Sequence, residues 1–268
     1  MNRIKLIAID IDGVVLKDTY SPVLKKIIEK YNGVYTRELE RNAFSRNRKE
    51  AATYIANALN LNLTPAQLIS EYFQERERYM ATHESGIENG VVHFLTAVQE
   101  LDTEILFYGG LSEQELHHDI KPCMKYVNEY VCTNDFRPGI NEIAKMYGIQ
   151  SSNALFIDDV AFFAENAKKE NALFIGVPSY FHFCYQKEEM HRLGATYMVD
   201  SIDTSLENII YIDDCPMAVC IAKSIGIHAI MLINNVYTIN DFNKTLNYNC
   251  QGITSLSQLT PLLLATNH

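Results

Sequence analysis

The sequence lacks the features of a membrane-spanning or nucleic-acid-binding chain. No stretch approaches the roughly 18 consecutive apolar residues that a transmembrane helix needs. Positive charge is scarce, because 33 Asp and Glu residues outnumber 23 Lys and Arg residues and give a formal net charge of −10. This balance argues against an extended phosphate-backbone partner, although a local basic patch could still bind one small anion. We therefore expect no membrane and no nucleic acid among its partners, and the oligomeric state stays unknown.

Paired cysteine motifs are absent as well. The six cysteines, at positions 123, 132, 184, 215, 220 and 250, form no Cys-x-x-Cys pair. Apolar neighbours such as Val219 and Ile221 favour buried free thiols in a reducing compartment over a zinc or disulfide role. The apolar run near the N-terminus is too short for a signal peptide and is interrupted by Asp10 and Asp12. These observations predict a cytoplasmic protein.

Short apolar runs alternate with segments of helical spacing along most of the 268 residues. Residues 4–9 have the β-branched composition of a strand buried on both faces. Similar runs recur at 104–108, 126–132, 154–157, 172–177, 196–199, 209–212 and 228–233. Helical segments such as 139–147 and 162–169 lie between most of them. This alternation predicts βαβ units, a mostly parallel sheet and an α/β fold.

Residues 17–85 interrupt the alternation. Segments 21–31, 36–59 and 64–80 all carry helical spacing, and Thr64-Pro65 supplies an N-cap followed by proline at the first helical position. We predict a small all-helical cap domain at 17–85, inserted into an α/β core made of residues 1–16 and 86–268.

The clearest chemical signal is Asp10-Ile11-Asp12-Gly13-Val14 at the end of the first predicted strand. Ligands of open α/β sheets bind beyond the carboxyl ends of the strands. Two carboxylates two positions apart in an extended chain can face the same cleft, and Gly13 lets the backbone turn away. Two like charges placed together are costly unless a cation lies between them, which indicates Mg²⁺.

This motif resembles the one that closes the first strand in the haloacid dehalogenase (HAD) superfamily, and the resemblance spans roughly residues 4–208. It implies a HAD-like Rossmannoid core with a helical cap. It also implies that Asp10 is the nucleophile that forms an aspartyl phosphate and that Asp12 is the general acid and base. The second aspartate is typical of phosphatase-type members, so phosphate transfer is favoured over dehalogenation.

Two further motifs of the family match in altered form. The strand at 104–108 leads to Gly109 and Gly110 where the family carries Ser or Thr, so backbone N–H groups would bind the phosphate; Ser112 is a weak substitute. Arg137-Pro138 stands where the family carries a lysine that balances phosphate charge, and Arg can bind phosphate in a bidentate way. Lys121 is the alternative cation.

The resemblance also implies that the acidic pair Asp158 and Asp159, after the strand at 154–157, completes the metal site with Asp10 and Asp12. The segment 153–159 is echoed at 208–214, which makes Asp213 and Asp214 the alternative pair. A helix N-cap is the structural interpretation of the pair that does not bind metal.

Within the predicted cap, Arg37, Arg41, Arg46, Arg48 and Lys49 form a basic cluster. Most such clusters are solvated helix faces, but one or two of these arginines could face the cleft and bind an anionic leaving group. The leading interpretation is a Mg²⁺-dependent phosphatase for a small phosphorylated metabolite. Because the second motif lacks Ser or Thr and Arg137 replaces lysine, the alternative is a weakly active or inactive HAD-like domain that binds a ligand or a protein.

Overall fold

Residues 4–99, 101, 103–195, 197–199 and 202 are described throughout in the computed structural model, together with the backbone of three strands at 210–213, 228–232 and 251–253. The chain divides into one unit of residues 2–202 and a second made mainly of residues 203–268. The first unit contains all the elements that position the candidate site.

Apolar segments of the first unit form a six-stranded parallel sheet. Its strands are β1 (Leu6–Asp10), β2 (Glu104–Gly109), β3 (Glu129–Cys132), β4 (Ala154–Asp158), β5 (Leu173–Gly176) and β6 (Tyr197–Met198). They lie side by side in the order β3-β2-β1-β4-β5-β6. Strands β1 and β4 are buried along their whole lengths, as expected for strands covered on both faces. Because β1 is parallel to both β2 and β4, the carboxyl ends of these three strands meet at one edge.

Eight described helices accompany this sheet. They are α1 (Tyr20–Lys30), α2 (Arg37–Phe44), α3 (Arg48–Ala58), α4 (Pro65–Met80), α5 (Val91–Gln99), α6 (Ile140–Met146), α7 (Ala161–Lys169) and α8 (Gln186–Leu193). Short 3-10 turns occupy residues 113–115, 118–120, 124–126 and 151–153. The predicted α/β class with a parallel sheet is confirmed.

Helices α1 to α4 all fall within residues 17–85. They bury apolar side chains such as Leu24, Phe44, Ile55 and Leu68 in one shared core. Helix α4 begins at a capping box, in which the Thr64 hydroxyl accepts a hydrogen bond from the backbone of Gln67 while the Gln67 side chain accepts one from the backbone of Thr64. The domain boundaries expected at 17–85, 1–16 and 86–268 stay a prediction.

Two predicted elements exceed the observed ones by three residues or more. The single helical segment expected at 36–59 is divided into α2 and α3, because Asn47 has extended backbone and its side chain accepts a hydrogen bond from the Glu50 amide, which starts a new helix. The strand expected at 126–132 begins only at Glu129, because Tyr126 belongs to a 3-10 turn.

The second unit contains a separate three-stranded sheet. Its described strands are β7 (Ile210–Asp213), β8 (His228–Leu232) and β9 (Gln251–Ile253), paired in parallel in that order. Strands are therefore present in both segments where they were expected, 209–212 and 228–233.

The described cysteines are free thiols that differ in exposure. Cys123 is buried and Cys184 is half-buried, but Cys132 is exposed because it lies on the edge strand β3, so the expectation of burial was wrong for it. Cys215, Cys220 and Cys250 lie outside the described residues. Over the described part of the chain, no helix combines the length and apolar character needed to cross a bilayer.

Glu40 of α2 forms hydrogen bonds that connect the helices of residues 17–85 to the region around α8. Its carboxylate is fully buried and accepts hydrogen bonds from the Tyr35 hydroxyl at 2.6 Å, the Gln186 side-chain amide at 2.7 Å and the Tyr185 backbone N–H at 2.9 Å. Burial raises the pKa of Glu40, and these hydrogen bonds oppose the shift. A buried carboxylate with this many hydrogen bonds is costly to remove, because the donors that it pairs with would lose a buried acceptor.

We predict that Glu40→Ala lowers the free energy of unfolding by about 3 kcal/mol, since it leaves several buried donors unsatisfied. Urea denaturation followed by circular dichroism measures the change. Glu38→Ala, an exposed change on the same helix, is the matched control and is expected to cost less than about 1 kcal/mol. Equal losses in the two variants would contradict this role of Glu40.

Candidate active site

Strand β1 and the turn after it bring two carboxylates into one cleft. Asp10 is the last residue of β1 and is 9% exposed. Asp12 follows in a turn in which Gly13 has a φ of +93°. Both aspartates line a cavity of about 150 Å³ between the sheet edge and helices α1 to α4. The spacing of the two residues therefore results in a shared cleft.

Strand β4 brings a second acidic pair to the same edge. Asp158 is 1% exposed and its carboxylate accepts hydrogen bonds from the Tyr108 hydroxyl at 2.6 Å and from the Val160 backbone N–H at 2.7 Å. Asp159 lines the cavity together with Asp10. Asp159 packs directly against Gly13, since a Cβ atom added there would lie 2.3 Å from its Oδ2. Gly13 is thus required both by its backbone conformation and by the space that Asp159 occupies.

The carboxylates of this site disfavour one another's charge. Burial raises the pKa of Asp10 well above its ordinary value, and the nearby Asp158 raises it further. Burial also raises the pKa of Asp158 to about 6, and it raises that of Asp159, to which Asp158 and Asp10 add their repulsion. Three buried carboxylates that share so little compensating charge are a suitable set of oxygen ligands for a hard divalent cation.

Arg137 provides positive charge close to Asp10 and Asp158. Its guanidinium opposes the upward pKa shifts of Asp10 and Asp158 and lies over the Phe163 ring, 5.0 Å from the centroid. Its Nε is buried and donates no hydrogen bond to any described residue. Arg137 lines the cavity, whereas Lys121 is exposed and is not among the described lining residues. Arg137 is therefore the better placed of the two candidate cations.

Gly109 and Gly110 lie beside these charged groups. A Cβ atom at Gly109 would lie 3.2 Å from the Tyr130 hydroxyl and 3.7 Å from Oδ1 of Asp10, and one at Gly110 would lie 3.2 Å from Nη1 of Arg137. Tyr130 and Arg137 thus lie close to the backbone of Gly109 and Gly110, where a Ser or Thr side chain would otherwise stand. Ser112 does not replace it, because its hydroxyl donates to Glu115 and it does not line the cavity.

Two important contacts could not be anticipated from the motifs. Arg76 of α4 is buried and donates from Nη2 to Asp12 Oδ1 at 3.2 Å and from Nε to the Thr19 hydroxyl at 3.0 Å. The spacing of α4 offered a signal for the burial of Arg76, which lies seven residues after Ile69 and four after Tyr72, on the face that lines the cavity. Its partner Asp12 could not be inferred from that spacing. Tyr108 offered a weak signal, since a tyrosine in an otherwise apolar buried strand needs a partner for its hydroxyl.

Burial and the Arg76 contact act on Asp12 in opposite directions. Burial raises the pKa of Asp12, the Arg76 guanidinium lowers it, and the negative charge of Asp18 raises it. The first and last effects favour the protonated acid, which can donate a proton. Arg76 favours the carboxylate, which can accept one.

The basic cluster is divided between the cavity and the surface. Arg46 and Arg48 line the cavity, while Arg41 and Lys49 are exposed to solvent. Arg37 pairs with Glu188 and Glu189 away from the cavity. The prediction that one or two of these residues face the cleft therefore agrees with the positions of Arg46 and Arg48.

The alternative acidic pair belongs to the other unit. Asp213 is the last residue of β7, and Asp214 lies outside the described residues. Asp158 and Asp159 lie in the same unit and at the same sheet edge as Asp10. They do so because β4 is the parallel neighbour of β1, and the carboxyl ends of parallel neighbours lie side by side.

Comparison with known proteins identifies the fold. No protein-family model matches the sequence, and no curated protein matches it. The structure is similar to that of CbbY from Rhodobacter sphaeroides in complex with phosphate, with 15% identity, a TM-score of 0.55, and 75% of this chain and 96% of that chain covered. Another crystal structure of CbbY contains xylulose-(1,5)bisphosphate.

Two further solved structures are similar to this chain over most of its length. A hydrolase from Pseudomonas syringae has 14% identity and a TM-score of 0.59 over 78% of this chain and 97% of that chain. A HAD family hydrolase from Deinococcus radiodurans with bound phosphate and sodium has 13% identity and a TM-score of 0.57 over 85% of this chain and 100% of that chain. At these identities the likeness establishes a HAD-like fold, which confirms the predicted fold class.

We predict that Gly13→Ala is more destabilising than Gly148→Ala, measured by urea unfolding in EDTA. Both glycines have positive φ, but a Cβ at Gly148 would meet no atom within 4 Å. The conformational cost of about 1–2 kcal/mol is common to both, and only Gly13→Ala also displaces Asp159. The excess is expected to become smaller in an Asp159→Ala background, which removes the two closest atoms and keeps only the Cβ atom of residue 159, 3.3 Å away. An excess of unchanged size there would show that the Asp159 carboxylate is not the obstacle.

Proposed function

We propose that this protein is a Mg²⁺-dependent phosphatase that hydrolyses a small phosphorylated metabolite through an aspartyl phosphate on Asp10. The observation that carries the proposal is the meeting of Asp10, Asp12, Asp159 and Arg137 around one cavity at the carboxyl edge of a parallel sheet. In open α/β sheets this edge is where ligands bind. The CbbY and Deinococcus structures, which contain phosphate, support the same chemistry by analogy of fold.

We assign one step of the reaction to each residue. An Asp10 carboxylate oxygen attacks the phosphorus, and the bond from phosphorus to the leaving oxygen breaks. Protonated Asp12 donates its proton to that oxygen. Deprotonated Asp12 then takes a proton from the water that hydrolyses the aspartyl phosphate. Arg137 and the backbone N–H groups of Gly109 and Gly110 bind the phosphoryl oxygens.

A divalent cation fits the residues present. Asp10, Asp158 and Asp159, with Asp12 beside them, are oxygen donors. Burial raises the pKa of the first three, Asp158 adds to the shifts of Asp10 and Asp159, and Arg137 opposes all three shifts. We propose that these aspartates hold Mg²⁺, which when bound supplies the positive charge that lets an anionic phosphate approach Asp10. Tyr108 then acts as a positioning residue, because its hydroxyl fixes the orientation of Asp158.

A second candidate function is ligand or protein binding with little or no turnover. The contact between Arg76 and Asp12 favours it, since an ion-paired Asp12 resists the protonation that leaving-group departure needs. The absence of a hydroxyl side chain at Gly109 favours it too. Dehalogenation is disfavoured by Asp12 and predicts activity that is independent of magnesium.

We predict Mg²⁺-dependent release of phosphate from p-nitrophenyl phosphate by the full chain, and its loss by roughly a thousandfold or more in Asp10→Asn, which removes the nucleophile. Steady-state assays with and without EDTA measure both effects. Asp135→Asn, the same change at an exposed position, is the control and is expected to retain full activity.

Absence of release with any divalent metal, from a sample that circular dichroism reports as folded, would overturn the phosphatase proposal. The binding candidate would then be tested by calorimetry with inorganic phosphate. Activity that survives in Asp10→Asn would assign the nucleophile elsewhere.

We predict that Arg137→Met lowers kcat/KM by about a hundredfold, because it removes the described cation that faces the phosphate site, whereas Arg137→Lys retains charge and loses only about tenfold. The same assay measures both variants. Lys121→Met is the control, and a loss of activity there that equals the loss in Arg137→Met would favour Lys121 as the phosphate-binding residue.

A further inference from the structure

The cavity above Asp10 has mostly apolar walls. Helices α1 to α4 line it with aliphatic and aromatic side chains, among them Leu24, Ile27, Phe44, Ile55, Leu68 and Tyr72. The first five are less than 9% exposed and belong to the apolar core that helices α1 to α4 share. The leaving group of any phosphate ester that reaches Asp10 would therefore contact hydrocarbon.

The cations at this cavity are already bound to protein groups, apart from Arg137. Arg46 donates to the backbone carbonyl of Asn42 at 2.8 Å and lies over the Tyr54 ring, 4.9 Å from its centroid. Arg48 forms an ion pair with Glu115 at 2.7 Å. These contacts engage Nη1 of each arginine, so an anionic leaving group would have to share each guanidinium with its present partner or displace that partner at the cost of its compensation.

We infer that the cavity selects phosphate monoesters of apolar alcohols, with a compact cyclic or branched hydrocarbon as the leaving group, and disfavours sugar bisphosphates and phosphorylated carboxylates. This inference rests on the proposed phosphatase function. Its physical basis is that hydroxyl, carboxylate or second phosphate groups placed against the aliphatic walls would lose water and gain few partners. Besides the arginines and the aspartates, the polar side chains of the lining are those of Tyr20, Tyr72, Asn47 and Asn134. The expected specificity thus differs from what the xylulose-(1,5)bisphosphate complex of CbbY illustrates for that protein.

The test compares alkyl phosphates of similar intrinsic reactivity. With Mg²⁺ present, kcat/KM for cyclohexylmethyl phosphate is expected to exceed that for 2-phosphoglycolate and for fructose 1,6-bisphosphate by at least about tenfold. Acetyl phosphate is a more reactive acyl phosphate whose small acetate leaving group does not use the cavity, and it serves only to report the activity of the phosphate site in each variant. Equal or greater kcat/KM for either anionic ester would overturn the inference while leaving the phosphatase proposal intact.

A pair of matched variants tests the cavity itself. Ala51 lines the cavity from α3, whereas Ala58 is exposed on the same helix. Ala51→Leu is expected to lower kcat/KM for cyclohexylmethyl phosphate by about tenfold by filling the space, while acetyl phosphate hydrolysis changes less than about twofold. Ala58→Leu is expected to alter neither. An equal loss with both substrates in Ala51→Leu would contradict a role in substrate selection.

A binding measurement keeps the inference testable without turnover. Benzylphosphonate and phosphonoacetate share a phosphonate but carry a phenyl ring and a carboxylate, respectively. Calorimetry with the full chain and Mg²⁺ is expected to give at least about tenfold tighter binding of benzylphosphonate, and loss of that preference in Ala51→Leu. Failure to hydrolyse acetyl phosphate together with this preference would overturn the phosphatase function alone. Tighter binding of phosphonoacetate, or binding of neither phosphonate, would overturn the apolar specificity.

Discussion

The structure around the cavity depends on the confinement of three carboxylates, Asp10, Asp158 and Asp159, in a buried volume with one nearby guanidinium. Like charges out of contact with water raise the free energy of the folded chain unless protons, a cation or hydrogen-bond donors compensate them. The Tyr108 hydroxyl, the bare backbone at Gly13 and the approach of Arg137 past Gly110 all serve this compensation or make room for it. The residue types at Gly13, Gly110 and Tyr108 are thus explained by the need to accommodate these charges.

The parts of the site that could be predicted from sequence are those fixed by strand ends. Asp10 ends β1 and Asp158 ends β4, and apolar runs followed by acidic residues are visible without coordinates. Parallel neighbours share an edge, so recognising both strands suffices to bring the two acidic segments together. Arg137 could be placed near them by its motif context, and the α/β class followed from the alternation of strands and helices.

The parts that could not be predicted depend on long-range side-chain contacts. The spacing of α4 places Arg76 on its buried face but does not reveal that Arg76 reaches Asp12, and nothing in α2 marks Glu40 as the acceptor for groups near α8. The division between α2 and α3 could have been anticipated, since Asn47 followed by Glu50 is an N-capping pattern, but helical spacing on both sides concealed it. The echo of residues 153–159 at 208–214 has no structural explanation beyond the fact that both segments contain strands.

The ion pair between Arg76 and Asp12 has a thermodynamic consequence of its own. Arg76 belongs to a helix of residues 17–85 and Asp12 to the turn after β1, so the strength of the pair contributes to the work of separating α4 from the sheet edge. A ligand that draws Asp12 away from Arg76 would lower the free energy needed to separate α4 from the sheet edge. Linkage is reciprocal, so separating α4 would increase the affinity for that ligand by the same free energy. A ligand that competes for Asp12 is therefore coupled, through this ion pair, to the stability of the contact between α4 and the sheet edge.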